Sequence, residues 1–116
     1  MITGTRKINV LGTDIRIEIR EEKDDEKLKN CLGYFDSTMH LIAVKKVIPD
    51  ALTYGDLDSL QKEVLRHEVM HAFFYESGLD GSSGSVENWA TNEEMVDWFA
   101  IQSPKIFRVF QELGVL

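Results

Sequence analysis

Apolar and polar residues alternate at the start of the chain, with Ile8 and Val10, then Ile15, Ile17 and Ile19, each set between polar neighbours. A period of two places every second side chain on one face of a strand. The spacing therefore predicts strands over 7–11 and 14–20 that fold back around Gly12-Thr13 as a hairpin, with Ile15, Ile17 and Ile19 on one face. Residues 21–30 are nearly all charged with mixed signs and read as a solvated loop or a short exposed helix. Two further strands are predicted over 32–35 and 40–47, joined by the polar turn Asp36-Ser37-Thr38-Met39. Together these segments predict a small, mostly antiparallel sheet.

Beyond this point the period changes. Leu57, Leu60, Val64, His67, His71 and Phe74 recur at steps of three and four, the spacing of one helical face. A helix is predicted over 58–77, opened by Asp58 and Gln61 as a capping box and stopped by Ser77-Gly78. Val69, Ala72 and Phe73 add a second apolar flank, so the helix is expected to lie centrally. A glycine- and serine-rich loop over 78–84 follows. A second helix is predicted over 88–102, with Thr91-x-x-Glu94 as a later alternative start. Ser103-Pro104 is read as opening a short C-terminal helix that carries Ile106, Phe107, Phe110 and Leu113 on one side. The whole is an α+β pattern.

With 116 residues, of which 43% are hydrophobic and 28% charged, the chain fits one globular domain over 1–116. Its formal charge of −7 sets its field against nucleic acid phosphates and anionic membrane surfaces, so neither is an expected partner. Cys31 is the sole cysteine, which excludes an internal disulfide and a zinc site of several cysteines; it reads as a buried apolar filler. No apolar run approaches the ~20 residues of a membrane span, and the first ten positions lack the apolar stretch of a signal peptide. A cytoplasmic protein is expected, of a bacterium or of a host cell carrying a phage.

The chemistry is concentrated in His67-Glu68-Val69-Met70-His71, an HExxH motif inside the most periodic helix of the chain. Residues four apart on a helix differ by about 40° in direction and ~6 Å along the axis, so both imidazoles can reach one ion. Glu68 is turned by about 100° from His67 and sits beside that ion, where a carboxylate can take a proton from water activated by zinc. A catalytic zinc usually takes three protein ligands, so a third must come from elsewhere. The extended pattern HExxHxxGxxH would need glycine and histidine where this chain has Phe74 and Ser77. A glutamate from a following helix is the other arrangement, and Asn92-Glu93-Glu94-Met95-Val96-Asp97 supplies one as Asn-Glu-x-x-x-Asp.

On these residues the chain resembles the gluzincins, the thermolysin-like metallopeptidases, in which HExxH is followed by a helix with a glutamate ligand and an aspartate four residues later. The stretch from Glu93 to Ala100, with Asp97-Trp98-Phe99-Ala100, is similar to the corresponding helix of the small ImmA/IrrE-type bacterial and phage metallopeptidases. The resemblance covers roughly residues 58–102. It implies a minimal zincin-like fold, Zn2+ as cofactor, Glu93 as third metal ligand beside His67 and His71, and Asp97 as the carboxylate that orients a ligand histidine. Glu94 is the rival to Glu93, though it reads more simply as a helix cap. The zincin layout also implies an edge strand that holds an extended substrate by main-chain hydrogen bonds, for which 40–47 is favoured. Thermolysin-like enzymes carry a histidine on a large second domain to stabilise the transition state, and this chain has no counterpart to it. His40, Tyr54 and Tyr75 remain as candidates for that role.

The expected function is a zinc metallo-endopeptidase acting on a peptide or protein substrate through zinc-activated water, with Glu68 as general base. The alternative is a zinc-stabilised binding or regulatory module of weak or absent activity on the same fold.

Overall fold

The structure, a computed structural model, describes residues 5–46, 56–79, 92–114 and 116. Strands β1 (Thr5–Val10), β2 (Thr13–Arg20), β3 (Gly33–Asp36) and β4 (Leu41–Lys45) form one sheet; helix α1 (Leu57–Glu76) packs on the sheet and helix α2 (Glu93–Leu113) packs on α1, in an α+β fold. The sheet order is β1-β2-β4-β3. β1 with β2 and β3 with β4 are antiparallel, as the patterning predicts, but β4 lies parallel to β2. The sheet is therefore mixed.

The hairpin turns one residue earlier than predicted. Val10 pairs with Thr13, leaving Leu11 and Gly12 as a two-residue loop, both with positive φ (51° and 97°). Two positive φ values define the turn whose twist matches that of the flanking strands. Leu11 is thus an exposed turn residue and not the end of a strand. Asn9 holds the loop by accepting from the Gly12 amide and donating to Asp14.

Ile8, Val10, Ile15, Ile17, Ile19, Phe35, Ile42 and Val44 share the face that meets α1, where Val64, Leu65, Val69 and Ala72 complete the core. Residues 21–30 form two short 3-10 turns over the opposite face, where Asp25 accepts from both Arg20 and the Tyr34 hydroxyl. Arg20 holds Tyr34 and Asp25 together, and burial with the Asp25 carboxylate pushes the Tyr34 phenol up to about 12. This segment is mostly exposed, as its charge predicts, yet its Leu28 is fully buried. Cys31, expected as a core filler, is exposed, with its thiol against the Lys27 carbonyl.

The cap of α1 lies two residues before the predicted one. Asp56 accepts from the Ser59 amide, whereas Asp58 pairs with Lys62 and Gln61 is buried. The helix stops at Ser77, with Gly78 at φ 81° as the sequence signal requires. Asn92 caps α2 by accepting from the Met95 amide, so Glu94 is not the cap. The predicted start at 88, the alternative at Thr91, Val47, Tyr54, residues 80–84 of the loop and the side chain of Phe110 lie outside the described residues. The segment from Ser103 is helical, and it continues α2 without a break through Pro104. Among the described residues no helix is long and apolar enough to cross a membrane.

Gly33 sets how closely β3 lies against α1. A Cβ there would meet Val64 Cγ1 at 2.9 Å, the Ala43 carbonyl at 3.1 Å and Glu68 Cγ at 3.4 Å. Val64 is β-branched and stiff, so it yields poorly. Gly33→Ala is expected to lower stability by roughly 1–3 kcal/mol through overpacking, read as a lower melting temperature. An unchanged melting point would show that the strand moves away freely.

Candidate metal centre

The helical spacing of His67 and His71 puts both rings on one face of α1, 4.9 Å apart between centroids and edge to face. Their Nε2 atoms lie 3.2 Å from each other. From the first turn of α2, Glu93 reaches both: its two carboxylate oxygens are 3.0 Å from His67 Nε2 and 2.9 Å from His71 Nε2. Four residues on, Asp97 faces the other side of the His67 ring, 3.3 Å from Nδ1. Glu94, rotated by about 100°, is exposed.

These distances carry a definite electrostatic problem. Beside an ionised Asp97, which can only accept, a neutral His67 ring carries its proton on Nδ1. His67 Nε2 then presents a lone pair toward a Glu93 oxygen 3.0 Å away, with His71 Nε2 also close. Such an arrangement is repulsive unless extra protons or a cation lie among the donors. A tetrahedral zinc with bonds of about 2.0–2.1 Å holds its donors about 3.3 Å apart. The donor set of two imidazoles and one carboxylate therefore fits zinc in kind and nearly in spacing.

Glu68 stands beside these donors, with His67, Glu68 and His71 ligand atoms all within 4.8 Å of one another. That grouping joins Glu68 to the two histidines, whereas the shorter contacts join Glu93 to them; a ligand belongs with the shorter contacts. Glu68 is 7% exposed, under Gly33 of β3. Burial pushes its carboxyl up to about 7, His67 opposes that rise, and the Glu93 charge adds to it. A buried carboxyl titrating near neutrality has the poise of a general base.

Two clefts open on this cluster. One, of about 490 Å³, is bordered by Gly33, Phe35, Glu68, His71, Tyr75 and Glu93. The second lies next to it along His67, Glu63 and Asp97. β3 and Cys31 border both, a role that sequence reasoning did not give them. Of the three candidates for stabilising a developing negative charge, Tyr75 is in the cleft, its ring edge-on to Phe35 at 5.9 Å. His40 sits in the turn before β4 with φ 49°, and it borders neither cleft. A separate apolar cavity on the other flank of α1, along Leu65, Val69, Phe73, Phe99 and Ile106, contains none of the clustered histidines or carboxylates.

The fold and the site define an α+β domain with a candidate His-His-Glu metal centre between two helices. None of the protein-family models, curated proteins or solved structures compared with the chain matches it.

Proposed function

We propose that this chain is a zinc-dependent peptidase of the gluzincin kind, close in plan to the small ImmA/IrrE-type enzymes. The observation that carries the reading is the convergence of His67 Nε2, His71 Nε2 and both Glu93 oxygens within 2.9–3.2 Å, next to the buried Glu68. His67, His71 and Glu93 would hold the ion, and Asp97 fixes the His67 ring by accepting from Nδ1. A bound zinc supplies a Lewis acid that lowers the pKa of water to ~7 and polarises a carbonyl. Glu68 takes the proton from the attacking water and passes it to the leaving amine.

The substrate-holding strand is reassigned. The predicted 40–47 strand cannot serve, because β4 is paired with β2 on one side and β3 on the other. An inner strand has no free main-chain groups to offer. Among the described residues β3 is the sheet edge beside the cleft, and its outer main-chain groups suit an extended peptide.

Side chains on a helix lean toward its N-terminus, which brings Tyr75 back over His71, four residues earlier. Its hydroxyl is assigned as the donor to the developing oxyanion. Tyr75→Phe is expected to lower kcat by about 100-fold or more, as for the loss of one such donor, with KM and zinc content unchanged. Equal loss of zinc would make Tyr75 a structural residue.

Metal analysis of the purified chain, followed by incubation with a library of unstructured peptides read by mass spectrometry, tests the whole reading. About one zinc per chain and cleavage are expected. Absence of zinc overturns it, and zinc without cleavage favours the binding module.

A further inference from the structure

Pro104 lies inside α2, and a proline has no N–H for the carbonyl four residues before it. That carbonyl belongs to Ala100, which is fully buried. A buried acceptor without a donor is costly, and the proline ring also crowds it away from the helix axis. The missing donor comes from the other helix: Arg66 Nε donates to the Ala100 oxygen. Arg66 immediately precedes His67, and Ala100 follows Asp97 by one helical turn on the stripe that carries Glu93 and Asp97. The gap that Pro104 leaves in the ladder of α2 is thus filled from the HExxH stretch of α1.

We propose that Arg66 is a positioning residue which, by bonding the carbonyl that Pro104 leaves without a helical donor, fixes α2 on α1 and sets Glu93 and Asp97 against His67 and His71. The contact is directional, unlike the apolar packing of Phe74 on Phe99 between the same helices. It therefore defines where along α1 the acidic turn of α2 comes to rest. Its role toward zinc rests on the metal reading above, but the link between the helices exists without the ion.

Two substitutions isolate the hydrogen bond. In Arg66→Gln the side-chain amide nitrogen occupies the place of Nε and keeps a donor there. Arg66→Met has similar length and apolar bulk without the donor, and both variants lose the charge. Zinc affinity, measured on the full chain by competition with a chelating dye, is expected to stay within about threefold of wild type for Gln. For Met it is expected to fall by about 10–100-fold, the range for groups that orient ligands. Melting temperatures in excess chelator read the same link without metal, with Met below Gln. Equal zinc affinity of the two variants overturns the positioning role, even if their melting points differ. Should the Met variant not fold, a Gln variant more than about tenfold weaker than wild type overturns it as well. If the wild-type chain takes up no zinc, the metal reading falls by itself; equal melting points of Gln and Met then overturn the link, and a lower one for Met sustains it.

Discussion

Glu68→Gln is expected to keep zinc at the wild-type level and to lose peptide hydrolysis. The amide has nearly the same shape, so His67 and His71 stay in place, but it cannot accept the proton of the attacking water. General bases contribute about 100- to 10,000-fold to rate, so turnover should fall by at least that much. The same substitution has a consequence for the metal-free protein. The folded-state pKa of Glu68 is raised from 4.5 to about 7, which means that the folded chain binds this proton more tightly than the unfolded chain. Its favourable contribution is fully present below pH about 4.5 and is lost as pH rises through about 7, by on the order of 3 kcal/mol. Glu68→Gln removes that loss. Urea melts in chelator at pH 5 and pH 8 should show the wild type weakening relative to the variant. A variant that releases zinc, or one that cleaves peptides at the wild-type rate, would refute the assignment.

Glu93→Ala is expected to abolish zinc retention through dialysis, because it removes the carboxylate that meets both His67 Nε2 and His71 Nε2. Two histidines alone leave the ion with too few protein ligands. Asp97→Ala should keep the ligand count and weaken affinity by about 10–100-fold, since it loses only the contact to His67 Nδ1. Glu94→Ala should retain zinc. Its stability cost is at most about 1 kcal/mol, from the lost negative charge at the start of α2, because Asn92 provides the cap. Zinc titration of the three variants separates them. Retention by Glu93→Ala together with loss in Glu94→Ala would shift the ligand assignment by one residue along α2 and remove the role of Asp97.

Local periodicity was enough to locate much of this protein. The alternation of Ile15, Ile17 and Ile19 marks an inner sheet face, and the three-and-four spacing through His67 and His71 marks α1, because each pattern is imposed by the geometry of its own element. The i, i+4 relation of Glu93 and Asp97 likewise follows from a single helix. That these two acids come to lie on either side of the His67 ring was legible only as a resemblance in the Asn-Glu-x-x-x-Asp spacing. Its geometry depends on how α2 docks, which no local period encodes.

Tertiary structure decided the rest, and each case turns on a partner distant in sequence. β4 became an inner strand by inserting parallel to β2, which left β3 at the edge among the described strands; strand order is a property of the sheet and not of any one strand. Cys31 faces solvent and Leu28 the interior, although composition suggested the first as filler and the second as part of a charged exposed segment. Pro104 was a helix start by its own chemistry, since its missing N–H costs nothing in a first turn. It sits inside α2 instead, where Arg66, thirty-four residues from Ala100, donates to the carbonyl it leaves bare.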